Sequence, residues 1–589
     1  MKFEELSECY FQLEKTQKKL EMIDILADTL KHSTGEEIGK IALLTLGKIY
    51  PDFIGVKLML AEKMVIKALS LATGRSEKSV IASFEEIGDL GKTTYQLLDK
   101  KPQTSLLAFT QKKQEEKEFE VTEIWEILDK IARMSGEGSA DKKIKSLAGL
   151  ISKVTSIEAR FIIRIVIGQL RIGVEAQLLL EALSVAKTGS RENKPLLERA
   201  YNRNADIGFV AEQLYKGGID AIKQIKVKLF NPIRVMLAQR VSSSDELLEK
   251  FGGKCSLEYK YDGLRVQIHK KEDTIKLFSR KPEDITNQFP DIIEFIKEAA
   301  IGDGIIIEGE IVAYDLTKEK ILPFQQVAQR KRKHDVDQKI EEIPVRVYLF
   351  DVLYCYNESR LDTDYIQRRK LLTEIVKETE NIKFSHQLVV DNTDDIENFF
   401  NQALENSCEG VMGKDVSSNS IYQAGARGWN WVKFKQDYIL PDTFDLVIIG
   451  ADFGKGKRAG KYGTFLLSCY NPENLVFQTF TWVGAGFSDE DLDNLYKMLK
   501  PLSRDKPKQV ESDIESPVWF EPQIVIEIEG AEITVSPMHT CAKGELEKKS
   551  EGLALRFPRF TGKIVDDRTP EQATSTEEIH QIYLNKKDK

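Results

Sequence analysis

The sequence contains few cysteines, and they form no metal-binding pattern. Six are spread over 589 residues, with no CxxC pair and no histidine-rich cluster. They are Cys9, Cys255, Cys355, Cys408, Cys469 and Cys541. Scattered cysteines argue against a zinc module and for reduced, buried thiols, so they indicate an intracellular protein.

Long apolar runs and positive net charge are also lacking. No run of about 18 apolar residues suggests a membrane span, and the charged, helix-patterned start MKFEELSECYFQLEK is unlike a signal peptide. We therefore expect a cytoplasmic protein with no membrane association. The net charge of −9 and pI near 5.6 do not indicate nucleic-acid binding, so any such binding must rest on local basic surfaces.

What is present suffices for several domains. Hydrophobic residues make up 41% of the chain, and a chain of this length typically forms about three or four domains. Prolines are sparse before Pro232, and apolar residues recur there at spacings of three and four, which predicts an all-α domain over 1–225. Strands and helices then alternate over 226–437, which predicts an α+β domain. Short strands and glycine turns fill 438–589 and predict a small β-barrel.

The stretch EYKYDGLR, residues 258–265, places a lysine just before a turn. Alternating apolar residues flank Asp262 and Gly263, which suit a hairpin turn. This predicts Glu258 and Lys260 on one strand face, with Arg265 beginning the neighbouring strand of the hairpin. The alternative is the solvated face of an ordinary hairpin, where lysine and arginine are common.

Charged residues also occupy other predicted strands. Glu308 and Glu310 share one face of GIIIEGEIVAYD, and Lys433 and Lys435 share one face of WVKFK, while EGVMGK adds Glu409 and Lys414. Burying carboxylates costs several kcal/mol unless cations or hydrogen-bond donors compensate. Edge strands with solvated faces explain each motif singly, but together they suit a polyanion with a divalent metal.

The ordered series EYKYDGLR, SRKPEDIT, EGEIVAYD, LFDVLY, EGVMGK and WVKFK resembles the nucleotidyltransferase motifs of ATP-dependent DNA ligases, particularly of the archaeal and eukaryotic replicative type. The flanks extend the likeness. LRIGV and AYNRNADIGFVAEQL resemble the helical DNA-binding domain of that family, and VGAGF and LRFPRF resemble its C-terminal OB-fold domain. The resemblance covers essentially the whole chain.

The resemblance implies a three-step reaction. A lysine attacks the α-phosphate of ATP, the AMP passes to the 5′-phosphate at a DNA nick, and the 3′-hydroxyl then displaces AMP. Lys260 would be the nucleophile, because a neutral amine attacks well and its pKa falls when it is desolvated or placed near cations. Arg265 would help to depress that pKa and hold phosphate.

The resemblance also implies roles for the other candidate site residues. Glu258 would fix the adenine or the lysine, Phe350 would stack on adenine, and Arg280 would contact ribose or phosphates. Arg427, Lys433 and Lys435 would face the nucleotide, the two lysines neutralising the α-phosphate. Glu310 would contact the ribose or a metal, and Glu409 is favoured as the metal carboxylate. Mg²⁺ would be the metal, since it prefers carboxylate and phosphate oxygens.

The last motif departs from the family pattern. In GKIVDDRTPEQAT, Val565 stands where the family has an arginine, and the spacing from RFPRF is one residue longer. Lys563 or Arg568 is the candidate replacement in orienting pyrophosphate.

The resemblance also implies partners and processes. Nicked duplex DNA is the expected partner, gripped through phosphates with little sequence specificity, and a sliding clamp is a further one; we expect a monomer acting in replication, repair and recombination. The basic runs Gln329–Asp335 and Gly454–Gly463 fit phosphate tracking, although solvated loops are the ordinary explanation of such runs.

Two alternatives stay open at this point. One is another lysyl-nucleotidyltransferase, such as an RNA ligase or a capping guanylyltransferase, against which the helical N-terminal region speaks. The other is a DNA-binding scaffold without catalysis, for which only Val565 gives support.

Overall fold

The computed structural model describes residues 1–99, 118–330, 340–435, 443–566 and 568–587. The chain divides into two compact units. Unit 1 consists of Met1–Glu62 and Glu115–Gln436, and unit 2 consists of Lys63–Gln114 and Asp437–Lys589. The domain limits at residues 225 and 437 stay a prediction.

The described chain up to Lys223 is built from helices. In unit 1 these are α1 (Phe3–Leu13), α2 (Lys19–Leu30), α3 (Ile38–Thr45), α7 (Val121–Arg133), α8 (Ser139–Ile151), α9 (Ser156–Val166), α10 (Ala176–Thr188), α11 (Lys194–Asn204) and α12 (Ile207–Lys223). In unit 2 they are α4 (Glu62–Thr73), α5 (Glu77–Ile87) and α6 (Leu90–Asp99), the first beginning at the unit boundary.

Helix α9 shows why these segments are helical. Thr155 and Glu158 form a capping box, which satisfies backbone N–H groups at the start of the helix. Its apolar face is buried, and Phe161 meets Tyr10 of α1 edge to face, with ring centroids 5.4 Å apart. Burying each such side chain contributes about 1.5–3 kcal/mol.

The rest of unit 1 holds two sheets. The strands are β1 (Leu237–Arg240), β2 (Cys255–Lys260), β3 (Leu264–Lys271), β4 (Thr274–Ser279), β5 (Ile305–Asp315), β6 (Lys320–Leu322), β7 (Val345–Cys355), β8 (Glu358–Ser359), β9 (Ile382–Phe384), β10 (Gln387–Val390), β11 (Gly410–Asp415) and β12 (Arg427–Lys435). The helices are α13 (Ser244–Lys250), α14 (Pro290–Ala299), α15 (Phe324–Arg330), α16 (Tyr365–Ile375) and α17 (Thr393–Glu405). One sheet has the order β1-β12-β11-β2-β10, and the other β4-β3-β5-β7-β8, with β6 beside β5 and β9 beside β7.

The core of the second sheet lies between one of its faces and the helices α14 and α16. Ile268 of β3, Ile307 of β5 and Val347 of β7 are fully buried together with Ile296 of α14 and Leu372 of α16. Helices therefore cover this face of the sheet, which is antiparallel apart from β9.

The predicted hairpin at residues 258–265 is wrong. β2 pairs with β10 and β11, whereas β3 pairs with β4 and β5, so Lys260 and Arg265 end in different sheets. Gly263 is needed for space rather than for a left-handed turn, because a Cβ there would collide with the carbonyl oxygen of Ile311 on β5.

The described strand-rich part of unit 2 is one branched eight-stranded sheet and a separate strand pair. Its strands are β13 (Phe444–Phe453), β14 (Tyr462–Asn471), β15 (Val476–Val483), β16 (Ser503–Arg504), β17 (Val510–Glu511), β18 (Val518–Phe520), β19 (Val525–Glu529), β20 (Glu532–Ser536), β21 (Gly552–Arg556) and β22 (Arg559–Val565). The sheet runs β16-β18-β13-β14-β15-β17, and β19 joins β13 to β22, while β20 pairs with β21. The helices α18 (Asp489–Leu499) and α19 (Thr576–Lys587) pack on it through Leu495 and Ile579.

Candidate active site

Lys260 lies at the end of β2 beside Glu409. Its Nζ is 2.7 Å from Glu409 Oε2, and the two side chains are 22% and 26% exposed. The pairing of β2 with β11 fixes this position, because the Glu409 N–H donates to the Lys260 carbonyl at 2.8 Å and Gly410 faces Lys260 in register. Both are candidate site residues in the sequence, and the structure places them in contact.

Carboxylates surround the lysine. Burial raises the pKa of Glu310 to about 8, opposed by Lys260 and Arg265 and reinforced by Glu409 and Asp262. Burial also raises the pKa of Asp262, and the nearby Glu409 adds to this effect. Glu310 therefore holds a proton near neutral pH unless more positive charge is brought to it. Asp262, which the sequence suggested only as a turn residue, belongs to this cluster.

The carboxylates alone do not form a complete metal cage. Within the described ranges, no three His, Cys, Asp or Glu side chains converge closely enough to hold an ion. Mg²⁺ is usually bound by one or two carboxylates, with waters and phosphate oxygens completing its shell. Glu310 and Glu409 supply that number of ligands, so the donor set fits Mg²⁺ brought with a nucleotide.

A cationic cluster lies opposite, on β12 and β1. Burial lowers the pKa of Lys433, and Lys435, Lys260, Arg427 and Arg240 lower it further. Lys435 Nζ is 3.8 Å from Glu409 Oε2. Several cations held this close together repel one another unless an anion lies between them, so the cluster is suited to an anion such as phosphate.

Arg240 was not predicted. It enters the cluster because β1 runs parallel to β12, with Arg240 opposite Lys433. Its only sequence signal is a basic residue at the end of a short strand, and the strand partner lies almost 200 residues further along the chain.

Glu258 is buried rather than open to the cluster. Its Oε2 lies 2.9 Å from Lys414 Nζ, with both side chains at most 3% exposed, and its Oε1 accepts from the Tyr365 hydroxyl. Burial lowers the pKa of Lys414, while Glu258 and Asp351 raise it. In the sequence Lys414 stands out only as a charged residue of EGVMGK with no role of its own, although it pairs directly with a predicted site residue.

Arg265 and Phe350 form an aromatic and cationic corner next to this pair. The Arg265 guanidinium lies 5.4 Å from the Phe350 ring and 5.3 Å from the Trp431 ring, and Phe350 and Trp431 meet at right angles 6.0 Å apart. Arg265 pairs with Glu308 at 2.7 Å. Phe350 is half-buried, which leaves ring surface for stacking.

Arg280 is not gathered into the cluster. It is exposed immediately after β4, one residue beyond the facing pair Val266 and Ser279. Among the described residues, no hydrogen bond or ion pair joins it to the groups around Lys260. The register nevertheless puts it at the Arg265 end of the sheet.

The last motif lies in unit 2. Val565 is buried and faces Val525 across β19 and β22. Lys563 pairs with Glu527 at 3.3 Å, and Arg568 pairs with Asp445 at 2.6 Å. Both candidate replacements are thus exposed and held by carboxylates of the same unit, while Asp567 lies outside the described residues.

The two basic runs are described only in part. Lys331 and the rest of its run through Asp335 lie outside the described residues, as does the side chain of Lys457. In the second run, Lys461 pairs with Asp493 of α18.

No helix in the described segments has both the length and the apolar content needed to cross a membrane. The six cysteines are free and buried.

The fold and the site suit a lysine-centred nucleotide-binding enzyme, and comparison with known proteins specifies the family. Residues 2–184 match the family described as "DNA ligase N terminus", residues 235–435 the "ATP dependent DNA ligase domain", and residues 458–567 the "ATP dependent DNA ligase C terminal region".

Two relatives align over nearly their whole length. The chain is 44% identical to "DNA ligase 2" of Thermofilum pendens, over 99% of this chain and 97% of that protein. It is also 44% identical to the "DNA ligase" of Saccharolobus islandicus, over 100% of this chain and 98% of that protein. The chain belongs to the ATP-dependent DNA ligase family.

A solved structure shows the same overall fold. The structure titled "Pmar-Lig_Pre." superimposes with a TM-score of 0.55 at 17% identity, covering 96% of this chain and 99% of that one. The chain therefore has the three-part ligase architecture, with a helical N-terminal region, a central adenylation domain and a strand-rich C-terminal domain.

Proposed function

We propose that this enzyme seals nicks in duplex DNA with ATP, through a lysyl-AMP and then a DNA-adenylate. In the first step, the Nζ lone pair of neutral Lys260 forms a bond to the α-phosphorus as the bond to pyrophosphate breaks. The lysine must first lose a proton to solvent, and the Glu409 carboxylate, 2.7 Å from Nζ, orients the amine for attack. This juxtaposition of Lys260 and Glu409 within the cationic cluster carries the proposal.

The remaining groups have roles in binding the nucleotide. Lys433 and Lys435 neutralise the α-phosphate as charge develops, with Arg427 beside the nucleotide. Phe350 stacks on the adenine, a contact worth about 1–3 kcal/mol for nucleobases. Arg265 and Arg280 contact ribose or phosphates. Glu258 acts through Lys414 and Tyr365 in shaping the adenine pocket, since its own carboxylate is buried.

Mg²⁺ is the metal we propose, held by Glu310 and Glu409. Bound there with ATP, it would neutralise phosphate charge. Its positive charge would also favour ionisation of Glu310, whose pKa burial otherwise raises to about 8.

We further propose the setting of the reaction. The domains are 1–225, 226–437 and 438–589, the last an OB-fold domain supported by its branched eight-stranded sheet. The enzyme is a cytoplasmic monomer that grips nicked DNA through phosphates and is recruited by a sliding clamp.

A label-transfer experiment tests the proposal. The protein is incubated with Mg²⁺ and ATP labelled at the α-phosphate, resolved on a denaturing gel, and chased with nicked DNA. Wild type is expected to take up label and release it as the nick is sealed. Lys260→Ala and Lys260→Arg, the second retaining the charge, are expected to stay unlabelled.

Four results would contradict the proposal. Label on Lys260→Ala would exclude that residue as the nucleophile. Wild type labelled by GTP rather than ATP, or discharged by nicked RNA rather than nicked DNA, would favour the capping-type or RNA-ligase alternative. An unlabelled wild type would favour the alternative of a DNA-binding scaffold without catalysis.

A further inference from the structure

The segment Phe230–Met236, called the linker below, joins α12 to β1 and is hydrogen-bonded to side chains of β3. His269 Nδ1 accepts from the Phe230 N–H at 2.9 Å. Gln267 binds Ile233 in both directions, since its Oε1 accepts from the Ile233 N–H at 2.8 Å and its Nε2 donates to the Ile233 carbonyl at 3.1 Å. The backbone of the linker is thus hydrogen-bonded by two side chains on one face of β3, where a neighbouring strand would otherwise supply its partners.

Gln267 uses every hydrogen-bonding position of its amide. Besides the two bonds to Ile233, its Oε1 lies 2.9 Å from His269 Nε2, and its Nε2 donates to Glu308 Oε1 at 3.3 Å. The residue is 2% exposed, and His269 and Glu308 are fully buried. Since a primary amide has two donors and two main acceptor positions, Gln267 links the linker to Glu308 with no capacity left over.

The same network reaches Arg265. Glu308 Oε2 accepts from Arg265 Nη2 at 2.7 Å and from the Tyr422 hydroxyl at 2.8 Å. That hydroxyl accepts from the Met236 N–H at 2.9 Å, and Arg265 Nη1 donates to the Met236 carbonyl at 2.8 Å. Arg265 is therefore held jointly by Glu308, Tyr422 and the linker backbone.

The other side of the linker is attached to the helical region and to the loop before Arg427. The Arg234 N–H donates to the Asn202 carbonyl of α11 at 2.9 Å, and the Arg234 carbonyl accepts from the Gly425 N–H at 2.9 Å. Asn231 Nδ2 donates to Asn204 Oδ1 at 2.6 Å. The linker consequently lies between the helical region and two predicted nucleotide ligands, Arg265 and Arg427.

We propose that Gln267 and Tyr422 are positioning residues that make ATP affinity depend on docking of the linker. They hold Arg265 and Glu308 in the arrangement beside Phe350 only while the linker backbone is in place. The inference rests on the proposed function, because it takes Arg265 as a nucleotide ligand. Nucleotide binding must in return stabilise the docked linker, since coupling between two binding equilibria is reciprocal.

The test compares Tyr422→Phe and Gln267→Met with a matched control. Tyr422→Phe removes one hydroxyl, and Gln267→Met removes the amide at similar volume. The control is Tyr215→Phe, which removes a hydroxyl that donates to the Leu30 carbonyl at 2.8 Å within the helical region. The KM for ATP and kcat of lysine adenylation are measured for each variant, together with the melting temperature.

We expect each site variant to raise the KM for ATP about tenfold, the effect of losing roughly 1.4 kcal/mol of hydrogen bonding. Their kcat should stay within about twofold of wild type, as expected for lost binding that is common to ground and transition states. Tyr215→Phe should leave both constants unchanged at a similar loss of melting temperature. A merely structural role would produce the same kinetics in all three variants.

Hydrogen exchange provides the second readout. In wild type, adenylation should slow exchange of the Ile233 and Met236 amides, and Gln267→Met should abolish that difference. The inference would be overturned by an unchanged KM for ATP in both site variants, or by linker amide exchange that adenylation does not change. As long as wild type adenylates, either result leaves the proposed function intact. A wild type that does not adenylate would instead defeat the proposed function.

Discussion

Lys414 and Glu258 form an ion pair inside unit 1, with Nζ and Oε2 2.9 Å apart and both side chains almost fully buried. Removing one partner of such a pair leaves a buried charge, which costs about 3–5 kcal/mol. The full destabilisation applies only if the remaining charged group has no other hydrogen-bond or ion-pair partner. Glu258 also accepts from the Tyr365 hydroxyl, and Arg369 lies 3.8 Å away.

Lys414→Met is therefore expected to lower the free energy of unfolding by about 3 kcal/mol, at the low end of that range. Lys414→Met combined with Glu258→Gln should recover part of the loss, because no unpaired carboxylate then stays buried. Thermal and urea unfolding of the single and double variants measure this. A double variant less stable than the sum of the two single effects would contradict the explanation.

His269 predicts a pH dependence of stability. Burial lowers its pKa to about 3, and its Nδ1 accepts from Phe230 only when neutral. The unfolded chain binds this proton below about pH 6.5 and the folded chain does not, so stability is full above that pH and falls as pH drops towards 3. Between pH 7 and 5 the loss from this group is about 2 kcal/mol.

His269→Gln removes this titration. Its melting temperature should fall less than that of wild type between pH 7 and 5, whereas the carboxylates contribute alike to both proteins. Parallel pH profiles for the two proteins would show that His269 is not the group responsible.

The motif residues could be found from sequence, but their partners could not. Lys260 and Glu409 stand out as charged residues in strand patterns, yet they meet only because β2 pairs with a strand 150 residues later in the chain. The pair Asp262-Gly263 predicts a hairpin because aspartate and glycine favour hairpin turns locally. In the fold, the tight approach of this turn to β5 sends the two strands into different sheets.

Buried polar partners were harder still to predict. Gln267 and Tyr422 carry no charge and occur in ordinary strand and loop patterns, so their importance depends on which backbone groups they meet. Glu308 is an unusual strand carboxylate in the sequence, but the family resemblance gives the functional role to its neighbour Glu310. Only the register between β3 and β5, with Gln267 opposite Glu308, distinguishes the two.

The basic runs predict a salt-dependent affinity for DNA. If Lys331 and Lys457 contact phosphates, Lys331→Ala and Lys457→Ala should each reduce the slope of log affinity against log salt by about 1. Lys297→Ala is the control, since Lys297 pairs with Glu294 on the surface of α14. Filter binding to nicked duplex at several salt concentrations measures the slope. Slopes equal to that of wild type would indicate that both runs are solvated loops that do not contact DNA.

Arg568 is the candidate replacement for the arginine missing at Val565. If it orients pyrophosphate, Arg568→Ala should slow lysine adenylation by about 10²-fold or more, the scale of losing one transition-state donor. Sealing of nicks that already carry AMP should be nearly unaffected, because no pyrophosphate leaves in that step.

Arg504→Ala is the matched control for this experiment. Arg504 and Arg568 are similarly exposed, at 54% and 51%, and each pairs with one carboxylate of unit 2, Glu521 at 2.7 Å and Asp445 at 2.6 Å. Loss of an exposed ion pair contributes only about 0–1 kcal/mol to stability, so a large effect on adenylation in Arg568→Ala alone would reflect chemistry rather than folding. Equal slowing of adenylation and of sealing in Arg568→Ala would instead assign Arg568 to DNA contact and leave Lys563 as the candidate.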